Sequence, residues 1–135
     1  MTPQQQVVRR LIDEALNAKD YSVLPELLHD DYVYRTPGEE LVGADALQGL
    51  FRMYHTAFPD LTLQIDDMFG DGERVATAFT LTGTNEGEMM GMPATGRRVS
   101  VHGVIHSRVV DGRIAEEWEL VDMASLMRQL AGEGD

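Results

Sequence analysis

The sequence predicts an α+β fold, and three observations carry that prediction. Helical periodicity dominates the first half of the chain. Alternating strand patterns dominate the second half, and two Asp-Gly pairs punctuate it as hairpin turns. Helices first and antiparallel strands after would lay three N-terminal helices over one face of a curved sheet.

The elements follow in order. Thr2-Pro3 reads as an N-cap with proline at the first helical position. Val8, Leu11, Ile12, Ala15 and Leu16 repeat at three- and four-residue spacing, which predicts an amphipathic helix over 3–18. A short helix is expected from Ser22 to His29, with Pro25 in its first turn. Asp31 to Arg35 reads as a short strand, ended by Thr36-Pro-Gly38. Ala44 to Phe58 is a third helix carrying Leu47, Leu50, Phe51, Tyr54 and Phe58, and Pro59 stops it. Leu61, Leu63 and Ile65 alternate with polar residues as a strand. Asp71-Gly72 marks a hairpin before the strand Val75–Thr84. Residues 85–97 form a long connection rich in Gly and Met. Val99–Val110 and Ile114–Val121 are strands joined at Asp111-Gly112. Asp122 to Leu130 closes the fold as a helix, and Gly132 to Asp135 is a frayed tail.

Length and composition bound the function. The chain has 135 residues and is expected to form a single domain over 1–135. Hydrophobic residues at 43% and charged residues at 25% match globular usage and exclude disorder and collagen. Cysteine is absent, which excludes disulfides, thiolate metal sites and cysteine nucleophiles. The net charge of −12 would repel nucleic acid and anionic membranes, since such partners are held by Lys and Arg. No segment has the apolar length of a membrane span, and no signal peptide is expected, so the cytoplasm is the default location.

Several catalytic patterns are missing. There is no His-Glu-x-x-His, no Gly-x-Ser-x-Gly and no phosphate-binding glycine loop. His102 and His106 stand four residues apart on a strand, hence about 13 Å apart, too far to share one metal ion. No metal site is therefore expected. The acidic pairs Glu39-Glu40, Asp66-Asp67 and Glu116-Glu117 read as solvated edges.

The segment 99–122 carries the candidate chemistry. Side chains alternate along a strand, so Trp118, Leu120 and Asp122 share one face and Glu117 and Glu119 the other. The second face is expected to be wet. A two-residue Asp111-Gly112 turn would set Val101, Gly103 and Ile105 beside Trp118. A three-residue turn, with Gly112 as a left-handed bulge residue, would set His102, Val104 and His106 there instead, with His106 opposite Glu116. The second register is preferred. Asp122 on an apolar concave face would have its pKa raised toward useful proton transfer, with His102 or His106 as its partner. Asp122 also precedes a helix, so it serves equally as an N-cap, and the two roles are compatible. Met89, Met90 and Met92 suit an adaptable lid over an apolar ligand as well as plain core filling. Tyr32, Tyr34, Phe51, Tyr54 and Phe58 line the other wall or simply pack.

Ala57-Phe-Pro-Asp-Leu61, Gly83-Thr-Asn-Glu-Gly-Glu-Met-Met-Gly-Met-Pro-Ala-Thr-Gly-Arg97, Asp111-Gly-Arg-Ile-Ala-Glu-Glu-Trp118, and Asp122 with Leu126 and Gln129-Leu130 together form a familiar pattern. It resembles the SnoaL-like polyketide cyclases of the nuclear-transport-factor-two-like superfamily, over nearly the whole chain. The resemblance implies a conical α+β barrel: a strongly curved, mainly antiparallel sheet wrapped around a deep apolar cavity and closed by the N-terminal helices. It implies a homodimer or higher homo-oligomer. It also implies cofactor-independent aldol-type ring closure of a small apolar carbonyl or polyketide compound. The family's catalytic aspartate lands on Asp122, and an assisting histidine on His106 or His102. Trp118, Tyr34, Arg35, Phe51, Tyr54, Asn85, Met89, Met90 and Met92 would contact the ligand. Two positions depart from the family: Asn85 stands where members often carry histidine, and Tyr34-Arg35 where many carry Asn-His. Both changes alter polar groups at the expected cavity mouth. A cyclase or isomerase is the leading expectation, with epoxide hydrolysis or a non-catalytic binding or dimerisation module as alternatives on the same scaffold.

Overall fold

The structure, a computed structural model, describes residues 1–133. Helix α1 runs Pro3–Arg10 and starts on a capping box, in which Thr2 and Gln5 exchange side-chain-to-backbone bonds of 3.1 and 3.2 Å. The helical path continues through Leu11–Asn17 as a π-helix, which keeps Leu11, Ile12, Ala15 and Leu16 buried. Asn17 ends it by pairing with both backbone groups of Leu63 at 2.8 and 3.0 Å, as an edge strand would.

The predicted helix Ser22–His29 is shorter in the structure. A 3₁₀ turn, Tyr21–Val23, leads into α2, Leu24–Leu27. Leu28 already has extended dihedrals and opens strand β1, Leu28–Thr36, because Leu28 pairs with Ile114 in the sheet. Strand β2, Glu39–Val42, is absent from the sequence reading. It is a mostly exposed edge strand, so its sequence carries no alternation to reveal it. Helix α3 spans Ala44–Ala57, and four long strands follow: β3 Thr62–Asp71, β4 Arg74–Thr84, β5 Arg98–Val110 and β6 Arg113–Val121. Helix α4 is Met123–Leu130. Of the expected tail, residues 134–135 lie outside the described residues.

The β3–β4 hairpin turns one residue later than its Asp-Gly signal. Asp71 pairs with Arg74, and Gly72, with φ of 60°, leads the turn.

The six strands form one sheet in the order β2-β1-β6-β5-β4-β3. Every pairing is antiparallel except β1 with β6. Register shifts in β1–β6, β3–β4 and β5–β6 mark bulges, which bend and twist a sheet. Into the resulting concave face pack Val8 and Leu11 from the first helical stretch, Leu24 and Leu27 from α2, and Leu47 from α3. They meet Phe79, Val101 and Ile114 from the sheet. Among the described residues no helix is long and apolar enough to cross a membrane.

Candidate active site

The site is set by a local event in the β5–β6 hairpin. The turn is the two-residue type: Val110 pairs with Arg113, and Asp111 and Gly112 both adopt positive φ, 52° and 79°, as a type I′ turn requires. The preferred three-residue register is therefore corrected. A bulge one step later replaces it. Val109 pairs with Ile114, but Arg108 pairs with Glu116, so Ala115 is the extra residue.

One extra residue exchanges the two faces of everything that follows. Ile114 points into the core, and so do Glu117 and Glu119 beyond the bulge, while Glu116, Trp118 and Leu120 point out. Glu117 sits opposite Ser107, Trp118 opposite His106, and Glu119 opposite Ile105. The face expected to be wet is thus the concave one, and the face expected to line the cavity is the convex one.

The inward pair is held from β1. The Tyr32 hydroxyl donates to Glu117 Oε1 at 2.7 Å, and Ser107 donates to Glu117 Oε2 at 2.6 Å. The Tyr34 hydroxyl donates to Glu119 Oε1. Two tyrosines spaced by two on β1 thus meet two glutamates spaced by two on β6. Glu117 is 1% exposed and has both oxygens engaged. Glu119 has one oxygen engaged by a protein donor among the described residues, and its carboxylate lines a cavity.

That cavity lies between the sheet and the helices. Val8, Leu11, Ile12 and Leu16 form its lid, Leu47, Leu50, Phe51 and Tyr54 of α3 one wall, and Leu63, Leu81, Ile105 and Val121 its floor. Among the described residues no Lys, Arg or His lines it. Its volume is about 60 Å³, about two waters' share of liquid volume and well below ordinary ligand pockets of about 300–1,000 Å³. In these surroundings burial pushes the Glu117 carboxyl up to about 7, against the two donors that favour its anion; the Glu119 charge adds to the rise. Burial also raises Glu119, offset by the Tyr34 bond. Tyr34 and Tyr54 are raised too, Tyr54 to about 12, by burial first and by the Glu119 charge second.

The other sequence-predicted residues divide between two places. Tyr34, Phe51 and Tyr54 line the cavity, as expected. Trp118, His106 and Arg35 come together on the outward face of the sheet instead, where they line a recess of about 510 Å³. The His106 and Trp118 rings stack with centroids 5.1 Å apart, and the Arg35 guanidinium lies 5.6 Å from the Trp118 ring. Arg35 is held there by Glu40 and Glu116, each at 3.1 Å. His102, also outward, meets Thr80 Oγ1 at 3.1 Å. Asp122 is exposed and caps α4: its Oδ1 accepts from the Ser125 backbone at 3.0 Å. Its own backbone N–H donates to the His102 carbonyl at 3.0 Å, so it adjoins His102 through the main chain, not through an imidazole–carboxylate pair.

Asn85 is not at the cavity mouth. It is 2% exposed and ties down the 85–97 connection: its amide donates to the Ala57 and Gly87 carbonyls, and its Oδ1 accepts from the Thr95 backbone and hydroxyl. Met89 is buried and Met92 bridges back to it around an exposed Met90-Gly91 turn. Asn85, Met89 and Met92 border a separate recess against Met127 and Leu130 of α4, so these methionines cover that helix and not the cavity.

Sequence reasoning missed Glu117 and Glu119. Their signal was the matched spacing of Tyr32-x-Tyr34 and Glu117-x-Glu119, together with the apolar Val99, Val101, Ile105 and Val109 face of β5. The bulge at Ala115 hid which glutamate face that apolar face would meet.

The family model described as SnoaL-like polyketide cyclase matches residues 6–130. The chain is 32% identical over 136 aligned residues to aklanonic acid methyl ester cyclase DauD of Streptomyces sp. (strain C5), covering 96% of this chain and 83% of that one. It is 32% identical to aklanonic acid methyl ester cyclase DnrD of Streptomyces peucetius, covering 96% and 92%. Among solved structures it resembles TsrD from Streptomyces laurentii, with a TM-score of 0.85 and 30% identity, covering 95% of this chain and 94% of that one. The chain belongs to the SnoaL-like polyketide cyclase family, which makes it a cyclase-type enzyme.

Proposed function

We propose that the chain closes a ring in a small, neutral, largely apolar carbonyl compound of the polyketide kind, by acid/base chemistry without a cofactor. The observation that carries this is the Glu119 carboxyl, oriented by Tyr34 inside a cavity that is otherwise almost entirely apolar. Glu119 takes a proton from the carbon next to a carbonyl. The enolate carbon attacks a second carbonyl of the same molecule, forming the carbon–carbon bond. The resulting alkoxide recovers the proton, so the reaction is proton-neutral and needs no oxidant or reductant. Tyr54, which has no hydrogen-bond partner among the described residues, lines the same cavity and can donate to the developing oxyanion. A carboxylate-bearing substrate would meet two glutamates and no cation, which favours esters and ketones. The lid of α1 and the π-helix must move to admit such a molecule, given the cavity's size.

Aklanonic acid methyl ester, the compound named for two relatives, is the first substrate to try. Glu119→Gln is expected to lower turnover by about 10²–10⁴-fold, the usual contribution of a general base. Asp122→Asn is expected to leave turnover within a few-fold. The opposite ranking would move the base from Glu119 to Asp122.

The convex face supports a homodimer. Val104 and Leu120 are cross-strand partners there, 50% and 57% exposed, beside the His106–Trp118 stack. Burying them against a second copy removes an apolar patch from water. Leu120→Glu should then shift the mass measured by light scattering from dimer to monomer.

A further inference from the structure

Glu117 is a buried titratable group that the proposed reaction does not use. It lies two residues from Glu119 on the same inward strand face, a spacing of about 7 Å. Both of its oxygens are taken up, by Tyr32 from β1 and Ser107 from β5, so it is committed to the protein and not to a ligand. The groups facing the pair are few. Tyr32 and Tyr34 come from β1 and Tyr54 from α3; the lid, β3, β4 and β5 contribute aliphatic side chains and Ser107, and no cation. Two like charges this close in an apolar site cannot both form cheaply, so the pair titrates as a unit.

We propose that Glu117 is a positioning residue for Glu119: fixed by Tyr32 and Ser107 two residues along the same inward strand face, with no cation beside either carboxyl among the described residues, it shares a single negative charge with Glu119, so that a proton on Glu117 leaves Glu119 as the ionised member. This rests on the reading of Glu119 as the base. With Glu117 protonated, the cavity carries one charge, on the carboxylate that faces the ligand. When Glu117 also ionises, a second negative charge opposes formation of the enolate, and turnover falls.

The test is a carboxyl NMR titration of the whole protein labelled with ¹³C-glutamate, with wild type, Glu117→Gln and Ser107→Ala compared. In wild type the Glu119 resonance should move in two steps, the upper one shared with Glu117. In Glu117→Gln the upper step should vanish. In Ser107→Ala, which removes a donor to the Glu117 anion, the upper step should move to higher pH and so keeps the test decisive if Glu117→Gln folds poorly. A Glu119 resonance with a single step in wild type, or an upper step that survives in Glu117→Gln, overturns the proposal. The kcat–pH profile with aklanonic acid methyl ester is read separately. Its alkaline limb should disappear in Glu117→Gln and shift upward in Ser107→Ala, with KM little changed. Absence of turnover with the titration as expected would refute the cyclase reading and leave the coupled pair standing. Normal turnover with an uncoupled Glu119 would do the reverse.

Discussion

Replacing Glu117 by Gln should make the protein more stable at alkaline pH and no more stable at acid pH. Glu117 is 1% exposed and its carboxyl is raised from the ordinary 4.5 to about 7. An acid whose folded pKa lies above its unfolded one binds more protons when folded. Its contribution to stability is complete below about pH 4.5 and is lost as pH rises through about 7. The difference of about 2.5 pH units, at 1.36 kcal/mol each, corresponds to about 3 kcal/mol. Glutamine keeps the shape of the neutral acid. Its oxygen accepts from Tyr32 and its amide can donate to Ser107, so the network survives without the ionisation. Urea unfolding of wild type and Glu117→Gln at intervals from pH 4.5 to 8.5 gives the difference directly, since the remaining carboxyls largely cancel. The curves should coincide at the acid end and separate to about 3 kcal/mol at pH 8, with the variant the more stable. A pH-independent difference, or a variant that loses stability as pH rises, would refute the placement of Glu117 in a dry site.

Three further outcomes follow from the structure. Asp122→Ala removes the α4 N-cap and should cost about 0.5–2 kcal/mol in chemical unfolding, with little change in turnover. Asn85→Ala leaves the Gly87 carbonyl and the Thr95 N–H without their partner and should cost about 1–3 kcal/mol; limited proteolysis should then cut within 85–97. Gly103→Ala would place a Cβ 2.5 Å from Phe79 Cζ and 2.8 Å from the Leu120 carbonyl, an overpacking expected to cost about 1–3 kcal/mol in thermal unfolding.

The helices and long strands were legible because their signals are local. Val8, Leu11, Ile12, Ala15 and Leu16 mark one helical face whether the turn is α or π, and all five are buried. Val99, Val101 and Val109 mark the inner face of β5 in the same way. Strand β2 was illegible because an exposed four-residue edge needs no pattern. The site was half legible. Tyr34, Phe51 and Tyr54 reach the cavity because large aromatics at helix or strand period generally point inward. Asp122 and the histidines do share the Trp118 face, as strand alternation predicts, because the bulge at Ala115 sets His106 opposite Trp118; what fails is the assignment of that face to the cavity. Nothing in Ile114-Ala-Glu-Glu distinguishes a bulge from a regular strand. It shows only in the pairing with β5, where Val110 stands opposite Arg113 but Ser107 stands opposite Glu117, one residue further than a regular ladder would place it.

The energetic position of Glu117 bears on why the polar pair exists at all. A side chain that costs stability at neutral pH is a poor structural device, because an amide or an apolar residue of similar size would fill the space between Tyr32 and Ser107 without ionising. The chain nevertheless commits two hydroxyls to that carboxylate and a third, from Tyr34, to its neighbour. Parallel pairing of β1 with β6 is what brings them within reach: Tyr34 stands opposite Glu117 and bonds Glu119, and Tyr32, two residues back, bonds Glu117. The offset is the same for both rungs, so the two carboxyls are oriented together by one strand register. Local departures from what stability alone would favour concentrate where chemistry is done. In this fold they concentrate on the floor of the cavity, at Glu117 and Glu119, and not at the exposed cap of α4.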